Sequence, residues 1–314
     1  MVTVHAVVVA YNRRDLLAQA LAAIFDQVQG IDRVHVIDNA SSDGTAEMVA
    51  NRFPRATLHQ LPVNTGGAGG FAAGLAYALA ESADLVWLMD DDTIPHPAAL
   101  QQLLTARSTY SGEPPALVAS RVLWTDGRDH PMNTPRVRPG VSSAQRSAAV
   151  AVGCVPVRSA SFVSVLVDAG AVRAVGLPEA EFFLWNDDFE FTTRLLRRGV
   201  GLFCPGSVVE HRTQTFGSTD ADPGDRFYYE VRNKVWTFVR SDGLTLPEKL
   251  LYTGSTLRRW VRTFSASSDR APLRSGLRRG LVDGFSRGPR PPIAVLADAG
   301  VDVVDPSSYQ PPQQ

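Results

Sequence analysis

Lysine is nearly absent from this chain. Of its 31 basic residues only Lys234 and Lys249 are lysines; the other 29 are arginines. Cysteine is scarce too, with Cys154 and Cys204 the only two in 314 residues. Two thiols exclude a disulfide-rich scaffold and cannot alone make a structural zinc site. They read as buried thiols in a reducing compartment. No run of about 18 apolar residues exists, which excludes a helical membrane span. The opening MVTVHAVVVAYNRR has no basic segment ahead of its apolar run, and that run is too short for the core of a secretion signal. The expectation is a cytoplasmic protein, or one peripheral on the inner face of the plasma membrane.

What is present is an ordinary globular composition, 44% hydrophobic and 20% charged, which excludes a disordered chain. The net charge of −1 argues against a basic nucleic-acid binder. That total hides a partition. The window from Lys249 to Arg290 holds ten cations against two acids, Asp269 and Asp283. Residues 1–248 hold 21 cations against 27 acids.

The first 100 residues alternate strand and helix signals. Val4–Ala10, Arg33–Ile37, Ala56–Gln60 and Leu85–Met89 are β-branched or apolar runs of strand length. Helical spacing covers Arg14–Gln27, Thr45–Arg52 and Phe71–Ser82, the last preceded by a loop, LPVNTGGAGG. Such alternation predicts an α/β fold with a mostly parallel sheet covered on both faces. Ligands bind beyond the carboxyl ends of such strands. Tyr11–Arg13, Asp38–Ser42 and Asp90–Asp92 should therefore converge. Further on, residues 111–150 read as loops with a strand near Leu117–Trp124. Strands are expected at Ser159–Val167, Gly201–Cys204 and Ser207–Glu210. Helices are expected at Ala169–Val175, Phe189–Arg198, Arg226–Arg240, Pro247–Thr263 and Arg274–Phe285, before a frayed end.

Three features carry chemistry. Asp90-Asp91-Asp92 ends a buried strand, where like charges repel and desolvation is costly. A divalent cation relieves both, and Mg²⁺ or Mn²⁺ takes carboxylates together with substrate phosphate oxygens. The plainer alternative is a solvated acidic turn before a helix. Asp187-Asp188, set among aromatic residues in FFLWNDDFEF, are either bases with raised pKa or helix caps. His211, after the strand SVVE, is a plausible third metal ligand. The loop Asn64–Gly74 matches a relaxed dinucleotide pattern through Gly67, Gly69 and Ala72, which would make the chain a NAD-dependent oxidoreductase. Against that, the fingerprint belongs at the first strand–helix turn, and two such units precede it here. The other readings are a flexible turn, or a glycine-rich loop lying close to a nucleotide or sugar.

VVVAYNRR, VIDNASSDGT, NTGGAGGFAAG and WLMDDD together resemble family 2 inverting glycosyltransferases of the GT-A fold, over about residues 3–240. The glycine loop with DDD and the later WNDDFEF is similar to galactofuranosyltransferases that build cell-wall galactan, most closely the shorter initiating type. Related rhamnosyltransferases, using dTDP-rhamnose, share much of this pattern.

The resemblance implies a UDP-sugar donor, a divalent metal (Mn²⁺ or Mg²⁺) and a polyprenyl-diphosphate-linked rhamnosyl-GlcNAc acceptor. It implies that Asp90, Asp92 and His211 hold the metal, with Asp91 nearer the sugar. Asp188 matches the general base, next to Asp187. Asp38 would contact the uridine and Arg13 the nucleotide, with Asn64 and Gly67 on the donor loop and Trp185 beside the acceptor. The organisation expected is a GT-A catalytic domain over 1–240 and a basic helical region over 241–314. Arg258, Arg259 and Arg262, beside Leu257, Trp260 and Phe264, suggest contact with an anionic membrane surface or the acceptor diphosphate. The alternatives are a solvated helix, or a subunit contact in a homo-oligomer.

Overall fold

The structure is a computed structural model that describes residues 2–213, 215–216 and 222–305. The N-terminal half runs β1 (Val4–Ala10), α1 (Arg14–Phe25), β2 (Arg33–Asp38), α2 (Thr45–Arg52), β3 (Ala56–Gln60), α3 (Gly66–Ala80), β4 (Leu85–Asp90), β5 (Thr93–Pro95) and α4 (Ala99–Thr109). It continues with β6 (Leu117–Leu123), β7 (Arg136–Val137), α5 (Ser143–Ala151), β8 (Val155–Ser159), β9 (Ser164–Asp168), α6 (Ala169–Val175), α7 (Asp187–Leu195) and β10 (Gly201–His211). Four helices close the chain: α8 (Phe227–Val239), α9 (Leu246–Ala266), α10 (Arg270–Ser286) and α11 (Pro292–Asp298).

One sheet of ten strands organises the molecule, in the order β3-β2-β1-β4-β9-β6-β10-β8-β7, with β5 pairing β10. The first four strands are mutually parallel. Strand β9 then runs antiparallel to both β4 and β6, and β6 pairs β10 in parallel. β1 is buried along its whole length, as a central parallel strand must be. Its alternate residues feed two cores. Val7 and Val9 pack with α3, α6, α7 and α11 on one face; Ala6, Val8 and Ala10 pack with α1, α2, α4 and α5 on the other.

α3 begins at Gly66, five residues earlier than the pattern from Phe71 predicts, so the glycine loop is largely helix. The reason is packing. A Cβ on Gly70 would lie 2.5 Å from Val9 Cγ1, and one on Gly74 would lie 2.3 Å from Val7 Cγ1. The glycines let α3 lie directly on β1, and this contact outweighs their low helix propensity.

Other boundaries differ for similar reasons. The expected single strand at 159–167 is two strands, β8 and β9, which join different parts of the sheet. The two expected strands at 201–210 are one strand, with a register shift between Cys204 and Val208. α5 was not expected; its N-cap Ser142 accepts from Gln145 N–H at 3.2 Å. Nor is the end simply frayed. α11 seats Leu296 in the main core, while residues 306–314 lie outside the described residues. The C-terminal helices fold back: Phe227, Val231, Trp260 and Leu273 form a separate small core joining α8, α9 and α10.

Candidate active site

The carboxyl ends of β1, β2 and β4 lie side by side. Ala10 pairs with Asp38 and Val9 with Asp90, so the loops after these strands meet as expected. β10 brings its last residue, His211, opposite Thr93, and the Arg212 N–H donates to the Asp92 carbonyl at 2.9 Å.

Within this junction Asp90, Asp92 and His211 each present a ligand atom, and the three atoms lie within 4.8 Å of one another. Asp92 Oδ1 stands 3.1 Å from His211 Nε2, yet it is buried and makes no well-aligned hydrogen bond. The other ring nitrogen, Nδ1, lies 2.9 Å from Asn133 Oδ1. An amide oxygen only accepts, so Nδ1 carries a proton and Nε2 is the nitrogen that faces the carboxylate. A proton or a cation between Nε2 and Asp92 Oδ1 satisfies both. Carboxylate oxygens with one imidazole nitrogen form a donor set suited to Mn²⁺.

The charges here are strongly coupled. Burial, then the neighbouring Asp92 charge, pushes Asp90 up to about 7. Burial pushes Asp91 up to about 6, against the opposing pull of Arg13. Burial also opposes the ionisation of Asp92, but His211 and Arg13 outweigh it and hold that carboxyl below its ordinary value. Conversely, burial disfavours a charged His211, but the facing Asp92 raises its pKa. Arg13 bridges the triple from the first loop, 3.2 Å from Asp91 Oδ1 and 2.5 Å from Asp92 Oδ2. Asp91 Oδ2 also accepts from the Tyr11 N–H at 3.0 Å, so this aspartate ties β4's end to the first loop.

Asp38 is buried and accepts from the Ser41 N–H at 3.0 Å. Its neighbour Asn39 was not singled out in the sequence. Asn39 Oδ1 accepts from the Thr65 N–H and its Nδ2 donates to the Gly66 carbonyl, at 2.8 and 2.9 Å, clamping the start of α3. Asn64 Oδ1 accepts from the Gly66 N–H at 2.8 Å. Gly67 has open space where a side chain would point.

Asp187 and Asp188 open α7. The N-cap is Asn186 with φ 67°, and its side chain makes no cap bond, so neither aspartate is the capping residue. Phe183, Trp185 and Asn186 all adopt positive φ, which costs non-glycine residues energy. Asn233 on α8 holds that loop, its Nδ2 lying 2.9 Å from each of the carbonyl oxygens of Phe182, Leu184 and Trp185. Burial, and then the Asp188 charge beside it, push Asp187 well above the usual carboxylate range; Asp90 adds to the push. The two acid clusters thus feel each other. Burial also raises Asp188, countered by its bond from the Phe189 N–H at 2.6 Å and by Lys234 and Arg136.

A cavity of about 490 Å³ borders this cluster, lined by Asp188, Trp185, Asn133, Lys234, Arg226 and Arg259, among others. The Arg226 guanidinium sits 5.4 Å from the Trp185 ring centre. Glu230 accepts from Asn186 Nδ2 at 2.9 Å and pairs with Arg259 of the basic block. Sequence reasoning therefore missed three buried asparagines, Asn39, Asn133 and Asn233. The only sequence signal is a polar side chain inside a patterned segment, as in EVRNKVW.

Residues 5–159 match the profile of Glycosyl transferase family 2. The chain is 34% identical over 203 residues to galactofuranosyltransferase GlfT1 of Mycolicibacterium smegmatis, covering 63% of this chain and 66% of that protein, just under two thirds of it. It is 32% identical to galactofuranosyltransferase GlfT1 of Mycobacterium tuberculosis, covering 74% of this chain and 82% of the relative. Its fold is similar to that of S. aureus TarS 1-349 in complex with UDP, with a TM-score of 0.62 and 15% identity over 90% of this chain and 80% of that one. The oxidoreductase alternative falls with this match; Gly70 and Gly74 of the same loop serve the contact of α3 with β1, and Gly69 sits against Thr65. The chain belongs to family 2 of the glycosyltransferases and is a transferase enzyme with a GT-A-like fold.

Proposed function

We propose that this chain transfers galactofuranose from UDP-galactofuranose to a polyprenyl-diphosphate-linked rhamnosyl-GlcNAc acceptor, with inversion at the anomeric carbon. The observation that carries the reading is the nearness of two acid clusters: Asp90, grouped with Asp92 and His211, acts on Asp187, and the adjacent Asp188 lines the cavity. The sugar is supported by the identity to proteins named galactofuranosyltransferase. The nucleotide is supported by a structural neighbour that binds UDP.

A divalent cation held by Asp90, Asp92 and His211 supplies positive charge for the departing diphosphate. Arg13 adds a guanidinium at the same place and holds Asp91 and Asp92 in position. Asp38, Asn64 and Gly67 line the nucleotide side, with Asp91 nearer the sugar. Trp185 offers an aromatic face to the acceptor. Asp188 takes the proton of the acceptor hydroxyl as that oxygen bonds to the anomeric carbon and the bond to the diphosphate oxygen breaks. Burial and the Asp188 charge push Asp187 up, which favours leaving the negative charge of the pair on Asp188. A single displacement turns an α-linked donor into a β-linked product without a covalent intermediate. The lipid tail of such an acceptor places the enzyme at a membrane surface.

Calorimetry with UDP, dTDP and NAD, each with and without Mn²⁺, tests the donor class. Mn²⁺-dependent UDP binding is expected, with no NAD binding; preference for dTDP would replace galactofuranose by rhamnose.

A further inference from the structure

α9 is a 21-residue helix with two different sides. One side is used internally. Thr256 and Trp260 are buried, Trp260 and Phe264 pack edge-on against Phe227, and Arg259, Trp260 and Thr263 line the cavity beside Asp188. The aromatic residues expected on a membrane face are therefore turned inward. A different set faces out. Leu246, Leu250, Leu257 and Val261 are 71%, 68%, 53% and 65% exposed. Their offsets of 4, 11 and 15 residues fall near whole helical turns, so they form one stripe. Val282 and Phe285 of α10 are also exposed. Among the described residues, five of the 18 exposed large apolar side chains lie on α9, four of them in this stripe.

Arginines flank this face. Arg258, Arg262, Arg274 and Arg278 are exposed and form no ion pair among the described residues, unlike Arg259, Arg287 and Arg290. Among the described residues no helix is long and apolar enough to cross a membrane. A helix with an apolar stripe and arginine flanks suits the plane of an anionic bilayer surface. A second copy of the chain fits poorly, because each copy would bring the same unpaired Arg258 and Arg262 to the contact.

We propose that the outer side of α9 is the surface on which this enzyme docks to an anionic lipid bilayer. The inference rests on the lipid-linked acceptor of the proposed function and gives it a geometry. The same helix carries the leucine stripe outside and cavity-lining residues inside, so docking sets the cavity beside the interface from which a lipid-anchored acceptor protrudes.

The test is co-sedimentation of the full chain with phosphatidylcholine vesicles, with and without phosphatidylglycerol. Wild-type protein should pellet with the anionic vesicles and be released by salt. Leu250→Ser/Leu257→Ser/Val261→Ser should lower the partition coefficient by about tenfold or more. Turnover of a short-chain, water-soluble acceptor should stay unchanged in that variant, which reports an intact fold and active site. Arg258→Gln/Arg262→Gln should flatten the salt dependence. Failure of the wild type to bind anionic vesicles, or equal binding by the serine variant, overturns the docking face. So does a wild-type dimer that the serine variant dissolves, because a second copy then covers the stripe. Loss of docking with soluble turnover retained leaves glycosyl transfer standing. Absence of turnover on the soluble acceptor in the wild type strikes the proposed function instead.

Discussion

Asn133 Oδ1 lies 2.9 Å from His211 Nδ1, and this contact determines which ring nitrogen faces Asp92. Asn133 Nδ2 is in turn 3.2 Å from Ser161 Oγ, so the amide is held at both ends. A residue from the loop between β6 and β7 thus orients the imidazole carried at the end of β10.

Asn133→Ala should weaken Mn²⁺ affinity roughly 10–100-fold, the usual cost of losing the partner that orients a metal-bound histidine. His211→Ala should weaken it further. The measurement is Mn²⁺ titration by calorimetry in the presence of UDP. Unchanged affinity in Asn133→Ala would mean that the histidine needs no orienting partner.

Asp188→Asn keeps the shape of the side chain but removes its capacity to take a proton. Turnover should fall by about 10² to 10⁴, the range typical of a lost general base. UDP affinity should stay within about twofold. Substantial remaining turnover would move the proton-accepting role elsewhere.

Lys234, buried on α8, is pushed down to about 8, chiefly by burial, with Glu230 opposing. Its positive charge favours ionised Asp188. In Lys234→Met that support is gone, so Asp188 holds its proton to higher pH. The acid limb of the pH–turnover profile should move upward, by on the order of one pH unit. The alkaline side should change little, because Asp188 is ionised there in both proteins. A profile unmoved at its acid edge would separate Lys234 from the base.

Glu248 ties the start of α9 to β8. Burial opposes its ionisation, but Arg158 Nε at 2.7 Å and the Thr245 N–H at 2.7 Å prevail and hold it at about 2. A carboxyl depressed on folding adds stability above its unfolded pKa near 4.5, and that stability is lost as pH falls toward 2. Glu248→Gln should therefore destabilise the protein by on the order of 1 kcal/mol at pH 7, because solvent screens this part-exposed pair. The difference from wild type should shrink across pH 4.5 to 2. Urea unfolding at several pH values reads this directly. A difference constant with pH would show that the ionised carboxylate is not its source.

Gly70 and Gly67 share one helix and face different surroundings. Gly70→Ala should cost about 1–3 kcal/mol, because its Cβ meets Val9. Gly67→Ala meets nothing within 4 Å and should leave stability unchanged or raise it by up to about 1 kcal/mol through helix propensity. Thermal melts of both variants distinguish packing from looseness as the reason for the glycines.

Much of this arrangement was legible in the residue pattern. β1, α2, β3 and α6 lie where period and breakers place them, because their signals are local. The convergence of Arg13, Asp38 and Asp90–Asp92 followed from parallel strands that end together. The start of α3 was not legible, because it depends on how near Val7 and Val9 stand to the glycines, a contact more than 60 residues apart in sequence. The clamps made by Asn39, Asn133 and Asn233 stayed hidden for the same reason. Their partners are backbone carbonyls and side chains brought close only by the fold. The inward turn of Trp260 likewise depends on α8 and α10 packing against α9.

Donor profiling tests the central claim most directly. Purified protein with Mn²⁺ and a synthetic polyprenyl-diphosphate rhamnosyl-GlcNAc acceptor is offered UDP-galactofuranose or dTDP-rhamnose, and the product linkage is determined. The account predicts β-linked galactofuranose from the UDP donor, lost on chelation and in Asp188→Asn. Rhamnosyl transfer from the dTDP donor, or retention of the donor's anomeric configuration, would contradict it.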